Sequence, residues 1–135
     1  MTDETPVSET ASASPVEPAA KVLPLPGMKM LGWAECVVDL SRYGWGTVLI
    51  RDPSLSATAQ FVAIATTSTN SVRIAAAMIS AYFVKGDAGH WPTRGAPLDA
   101  WEKAIAGCPS KPIDELIRAV RRFREMFAAD IDSPN

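Results

Sequence analysis

The amino-acid sequence predicts a mainly α-helical fold, in which one small domain of four to five helices follows a disordered N-terminal tail. Two observations lead to this prediction. After residue 27, apolar residues recur three or four positions apart in most segments, which is the period of an amphipathic helix. Before that point the chain is rich in proline and in small residues. We therefore predict a tail over residues 1–26, a helical domain over residues 27–129, and a frayed C-terminus over residues 130–135.

The predicted tail contains five prolines, four acidic residues and one lysine. Few of its side chains are large and apolar, so ordering it would cost more conformational entropy than burial returns. Near its end, Leu23 and Leu25 either dock on the domain or form an edge strand that proline interrupts. Asp3 and Glu4 stand where a secretion signal carries basic residues, and we expect no signal peptide.

The first predicted helix lies in the segment that follows Gly27, and Gly44 and Gly46 end it. Its apolar residues have the i, i+3, i+4, i+7 spacing of one helical face, and they are Trp33, Cys36, Val37 and Leu40. Residues 47–50 are β-prone, and the sequence leaves open whether they form a short strand or an extended link.

Two further helices are predicted in the middle of the chain. The first begins at Asp52-Pro53, with Asp as the N-cap and Pro at the first helical position. Its predicted apolar face comprises Leu55, Ala59, Val62, Ala63 and Thr66. A polar turn over residues 66–71 leads to the second helix, which extends to about Lys85 and stops at Gly86. Its apolar stripe comprises Ile74, Ala75, Met78, Ile79, Tyr82 and Phe83.

A loop rich in glycine and proline over residues 86–97 precedes two more predicted helices. The first is short, ends near Gly107, and carries Leu98, Trp101, Ile105 and Cys108 on one face. The second is capped by Ser110 and has Pro112 in its first turn. Its continuous apolar face comprises Ile113, Leu116, Ile117, Val120, Phe123 and Phe127.

Composition and spacing argue against several classes of function. The formal net charge of −2 disfavours nucleic-acid binding, because such domains usually carry a basic excess. His90 is the single histidine and has only Asp87 near it in the sequence, so we expect no metal site and no catalytic pair. Cys36 and Cys108 lie on predicted apolar faces, which is typical of reduced, unreactive thiols in a cytoplasmic protein. We therefore expect a protein that is not an enzyme, needs no cofactor and does not span a membrane.

Two groups of residues are candidates for contact with a partner. Trp45 and Trp91 lie in predicted loops, where an aromatic side chain either contacts another protein or covers the end of the core. A basic cluster near the C-terminus is either a solvated face with local ion pairs or a nucleic-acid contact, and it comprises Arg118, Arg121, Arg122 and Arg124.

The order of segments over residues 54–127 follows a distinctive plan. An alanine-rich helix is followed by Ile74-Ala-Ala-Ala-Met-Ile-Ser-Ala-Tyr-Phe-Val84, a Gly86-Asp87 turn, a short helix over residues 98–106 and, after Pro109, an amphipathic helix over residues 113–127. This layout resembles that of the tail assembly chaperones of long-tailed bacteriophages and prophages.

The resemblance implies a non-enzymatic chaperone that acts in the host cytoplasm. Such chaperones bind the tape measure protein, a very long helical protein, and keep it soluble while the tail tube assembles around it. Exposed apolar surface on a long amphipathic helix would otherwise aggregate, and an apolar groove in a helical domain would cover it. On this hypothesis we expect Trp45, Tyr82, Phe83 and Trp91 to lie near the groove.

Two alternatives stay open on the sequence alone. A small nucleic-acid-binding regulator would use the basic cluster of the C-terminal helix. A self-assembling structural protein of the virion would form oligomers through the face that carries Phe123 and Phe127.

Overall fold

The structure is a computed structural model that describes residues 23–32 and 34–132, with side chains as far as Met126. Most of the predicted disordered tail, residues 1–22, lies outside the described residues, and so do Trp33 and residues 133–135. The last residues of the predicted tail lead directly into the fold, because the backbone N–H of Met28 donates to the carbonyl of Leu25 at 3.0 Å.

The fold is α+β, so the prediction of a mainly α fold is wrong. Four strands form one antiparallel sheet in the order β1-β2-β3-β4, and four helices accompany it within the described residues. The elements in chain order are β1 (Met28–Leu31), β2 (Glu35–Asp39), a 3-10 turn (Ser41–Tyr43), β3 (Thr47–Arg51), α1 (Leu55–Thr67), α2 (Ser71–Tyr82), β4 (Phe83–Gly86), α3 (Leu98–Ala106) and α4 (Ser110–Asp132).

The segment predicted as the first helix contains β1 and β2 instead. Its side chains alternate with period two, because Cys36, Val38 and Leu40 are all buried while Val37 between them is only half-buried. The β-prone residues 47–50 supply the partner, and β3 buries alternate residues in the same way. Cys36 lies opposite Ile50, so the two alternations match and make one apolar face of the sheet.

The predicted helix over residues 71–85 is correct at its start and wrong at its end. The side chain of Asn70 caps α2, accepting from the backbone N–H of Val72 and Arg73, but the helix stops at Tyr82. Residues 83–86 form β4, which pairs with the otherwise free edge of β3. The pairing has an irregularity that leaves Val84 as an extra residue on β4, which is the pattern of a β-bulge.

Helix α1 begins two residues later than predicted and turns its predicted apolar face outward. Ser54 is the N-cap, and its hydroxyl accepts from the backbone N–H of Ala57 at 3.1 Å. Phe61 is the buried residue of this helix, whereas Leu55 is 91% exposed and Val62 is 45% exposed. The wrong choice of face follows from weak amphipathicity, since small or uncharged side chains surround the whole helix.

Helices α3 and α4 lie where the sequence predicts helices, and α4 extends to Asp132. The inner face of α4 carries Leu116, Val120 and Phe123, each completely buried. Its first turns are tied to the 3-10 turn, because Glu115 accepts from the Tyr43 hydroxyl at 2.7 Å and pairs with Arg42. Within the described residues, none of the helices has the length and apolar character required to cross a membrane.

Candidate functional site

An open groove of about 780 Å³ lies between α2 and α4. Met78, Ile105 and Ile113 are buried and form its floor, and half-buried Ile74 and Ile117 form its two walls. The complete lining, which defines the α2–α4 groove, is Ser71, Val72, Ile74, Ala75, Met78, Ile105, Ala106, Cys108, Ser110, Ile113, Asp114, Ile117, Arg118 and Arg121.

The groove exists because the apolar stripe of α4 is wider than the core that covers it. At 100° per residue, Leu116, Val120 and Phe123 point toward the core, while Ile113 and Ile117 lie on one margin of the stripe. That margin lines the groove together with α2, whose Ile74 and Ala75 are half-buried, as Ile117 is. Two helices therefore present aliphatic side chains to a common space that neither of them fills.

The rim of the groove on the α4 side is charged. Arg118 and Arg121 lie one turn apart on α4, and both are exposed. Within the described part of the chain, neither forms an ion pair. Asp114 lies one turn before Arg118 on the same rim and is exposed as well. The groove thus combines an apolar floor with a charged rim on α4. Asp114 lies at the N-terminal end of this rim, and Arg118 and Arg121 follow it.

The two cysteines differ in accessibility, and one of them belongs to the groove. Cys108 is half-buried in the lining, and its Sγ donates to the carbonyl of Ala104 at 3.2 Å. Burial raises the pKa of the Cys108 thiol. Cys36 is completely buried under the sheet, and burial raises its pKa to about 11. Neither thiol is therefore prepared to act as a thiolate nucleophile near neutral pH.

The structure separates the four aromatic residues expected near a partner groove. Tyr82 and Phe83 are core residues, with only 6% and 4% of their surface exposed, which is contrary to the exposure that the hypothesis needed. The Tyr82 ring meets the Phe123 ring edge-on, with centroids 6.1 Å apart. Trp45 and Trp91 are half-buried. None of the four lines the α2–α4 groove.

Trp45 and Trp91 belong instead to an aromatic cluster that closes one end of the core, and the cluster comprises Trp45, Phe83, His90, Trp91 and Trp101. Trp91 is its centre, with ring centroids 5.3 Å from Trp45 and 5.5 Å from Phe83. The indole lies so close over Gly86 that a Cβ there would stand 2.6 Å from Trp91 Cδ1. Covering the end of the core is thus the interpretation that the packing of Trp91 supports.

His90 contributes its ring to this aromatic cluster. Its ring centroid lies 4.3 Å from that of Trp45 and 4.4 Å from that of Trp91. Desolvation by these neighbours lowers the pKa of His90. Across residues 23–32 and 34–132, no three His, Cys, Asp or Glu side chains are grouped in a way that could hold a metal ion. The buried Nε1–H of Trp91 has no acceptor within the same residues.

The four arginines of the predicted basic cluster have different surroundings. Arg118 and Arg121 border the groove, as described above. Arg122 lies 3.7 Å from Glu125 and donates to the carbonyl of Leu23, while Arg124 stacks over the ring of Phe61 on α1. The cluster is therefore divided between the groove and two structural contacts. Phe123, proposed for an oligomer face, is completely buried in the core, and the side chain of Phe127 lies outside the described residues.

No protein family, curated protein or solved structure matches this chain. The groove is accordingly interpreted from its own residues. The sequence predicts apolar helix faces that contain Ile74, Met78, Ile113 and Ile117, but it does not predict that these residues line a groove. The one available signal was the width of the α4 stripe, which exceeds what a single packing partner covers.

Proposed function

We propose that this protein is a non-enzymatic adaptor that holds a helical segment of another protein in the α2–α4 groove. The observation that carries the proposal is the pair of half-buried isoleucines, Ile74 on α2 and Ile117 on α4, which line the same open groove as the buried Met78, Ile105 and Ile113. Aliphatic side chains left partly in water on two neighbouring helices form a typical seat for a third amphipathic helix.

The biological role we propose is that of a tail assembly chaperone of a long-tailed phage or prophage, acting in the host cytoplasm. The layout of the helices over residues 54–127 supports this role, and so does the groove, since the tape measure protein is a long helix with apolar surface to be covered. Trp45, Tyr82, Phe83 and Trp91 are no longer part of the proposed contact, because they pack in or over the core. The contact we propose instead is centred on Ile74, Met78, Ile113 and Ile117.

The experiment is co-expression of this chain with the tape measure protein of the genome that encodes it. We expect the soluble fraction of the tape measure protein to rise, and the complex to protect Cys108 from alkylation because that thiol lines the groove. Cys36 serves as the internal reference, since it is buried in the free protein as well. An Ile117→Glu variant should lose both effects, because a carboxylate would be forced into the apolar seat.

The matched control is Val62→Glu. Val62 is also a partly exposed aliphatic residue on a helix, but it lies on α1 outside the groove. Both variants are first shown to be folded by circular dichroism. A tape measure protein that stays insoluble with the wild-type chain would contradict the chaperone role. Equal activity of Ile117→Glu and Val62→Glu would remove the groove from the proposal.

A further inference from the structure

We infer that the α2–α4 groove selects an amphipathic helix bearing two acidic residues, one turn apart, beside its apolar stripe. The inference rests on the proposed function, since it names the chemistry of the helix that the groove would hold. Apolar contact alone does not distinguish one amphipathic helix from another. Charged residues on the rim do distinguish them, because they attract side chains of opposite charge on the docked helix and repel side chains of like charge.

The first observation is the position of the two groove arginines. Arg118 and Arg121 are at positions i and i+3 of α4, which puts their side chains on adjacent turns of the same rim. Acidic residues at i and i+3 or i+4 of a docked helix have the matching spacing of about one turn, or 5.4 Å. Both guanidinium groups are therefore placed to meet a carboxylate pair at the edge of the apolar contact.

The second observation is that other arginines of the protein already have carboxylate partners. Arg42 pairs with Glu115, Arg51 with Glu35, Arg73 with Asp99 and Glu102, and Arg122 with Glu125. In the described part of the chain, Arg118 and Arg121 lack such a partner, although Asp114 lies only one turn before Arg118. The groove rim thus carries two arginines without an ion pair in the described part of the chain, whereas those four other arginines are each neutralised by a carboxylate.

Asp114 gives the rim a direction. A carboxylate docked over the Arg118 and Arg121 half is attracted, whereas one docked over Asp114 meets a like charge. The acidic pair of the docked helix is consequently expected at the Arg121 end of the groove, with a neutral or basic residue toward Asp114. Charge fixes the register of a helix that the apolar floor alone would allow to slide.

The test uses the full chain and three synthetic helical peptides that share one apolar i, i+3, i+4, i+7 stripe. They differ at two flanking positions one turn apart, which carry Glu, Gln or Lys. Binding is measured by fluorescence anisotropy at low and high salt. We expect the Glu peptide to bind roughly tenfold more tightly than the Lys peptide at low salt, with the ratio falling at high salt, because two exposed charge pairs are involved.

The variant Arg118→Gln/Arg121→Gln should remove the preference and leave the Gln peptide bound as before. The matched control, Arg122→Gln/Arg124→Gln, deletes the same charge from the same helix outside the groove lining and should retain the preference. Circular dichroism and denaturation establish that both variants fold. A preference that survives the first variant, or disappears in the second, overturns the inference.

The remaining outcomes separate this inference from the proposed function. Equal binding of the three peptides overturns the charge selection and leaves the helix-binding groove standing. Failure of all three peptides to bind contradicts the proposed function itself. Double-stranded DNA that binds more tightly than the Glu peptide, and is lost with Arg118→Gln/Arg121→Gln, assigns the two arginines to nucleic acid and overturns the inference as well.

Discussion

The aromatic cluster and the α2–α4 groove are both built from apolar side chains, yet one is covered and the other is open. Phe83 and Trp101 at the base of the aromatic cluster are 4% and 1% exposed, because the half-buried Trp91 packs against both. In the groove, Ile74 and Ile117 are themselves half-buried. The loop between β4 and α3 folds Trp91 back over Gly86 and Phe83. No segment among the described residues returns over the groove in the same way.

The difference teaches that the hydrophobicity of a side chain does not decide whether it belongs to the core or to a binding surface. The sequence leaves open whether Trp45 and Trp91 contact a partner or cover the core, and the structure packs them against each other beside Phe83 and Trp101. Ile113 and Ile117 belong to one predicted apolar helix face with Leu116, yet they line an open groove. An apolar side chain becomes part of the core only when a second segment of the chain covers it, and this depends on the path of the chain.

Removal of a large ring from the covered region should have the largest effect. Trp101→Ala should lower the free energy of unfolding by about 3–5 kcal/mol, because a completely buried aromatic side chain leaves a cavity behind. Ile117→Ala in the groove should lower it by only about 1 kcal/mol, since a half-exposed side chain has less burial to lose. Urea unfolding curves of the two variants measure both values. Equal losses would show that the groove wall is packed as tightly as the aromatic cluster.

An added methyl group beneath Trp91 should have an intermediate effect. Gly86→Ala should lower the free energy of unfolding by about 1–3 kcal/mol, because the new Cβ would lie 2.6 Å from Trp91 Cδ1 and displace the indole. The matched control is Gly89→Ala in the loop that follows β4, where no other atom lies within 4 Å of the added Cβ. Its change should stay within about 0.5 kcal/mol. Urea unfolding followed by tryptophan fluorescence measures the free energy of unfolding of both variants. An unchanged value for Gly86→Ala would mean that Trp91 does not pack tightly over this position.

Protonation of His90 at mildly acidic pH should have the smallest effect of the three on the free energy of unfolding. The pKa of His90 is lowered by desolvation in the folded protein, so the unfolded chain takes up the proton first as the pH falls below about 6.5. Neutral His90 therefore contributes its full stabilisation above the unfolded-state pKa of about 6.5. This contribution to the free energy of unfolding is lost as the pH falls from that value to the lower folded-state pKa, and it does not change further below it. His90→Gln should remove this step, and nuclear magnetic resonance titration of the ring should give a pKa below 6.5. A folded-state pKa above that value would reverse the sign and contradict the desolvation of the His90 ring beside Trp45 and Trp91.

Local sequence signals located most of the helices correctly. The turn over residues 66–71, the stop near Gly107 and the start at Ser110 all agree with the observed boundaries to within a few residues. These signals are local because capping residues and helix breakers act on the backbone within one turn. The Gly86-Asp87 turn was also recognised, and Asp87 anchors it by accepting from the backbone N–H of Thr47 at 2.9 Å.

The error in fold class came from a short segment in which two periods compete. Cys36 and Leu40 fit a helical stripe and also fit the alternation of a strand, and Val37 or Val38 decides between them. Val38 is the buried one, at 2% exposure, because β3 lies alongside and puts Val48 opposite it. A partner strand at a distance along the chain is not visible in an eleven-residue window, so periodicity alone was insufficient.

By itself, then, the sequence determined the apolar faces of α3 and α4 and where three of the helices begin, since both depend on neighbours within one or two turns. Only the tertiary structure decided that Met28–Leu31, Glu35–Asp39 and Thr47–Arg51 pair as strands, that Tyr82 and Phe83 are buried, and that Ile74 and Ile117 stay accessible. The physical reason is the same in each case. Strand pairing and burial depend on which distant segment supplies the hydrogen-bond partner or the covering surface, and that choice minimises the free energy of the whole chain.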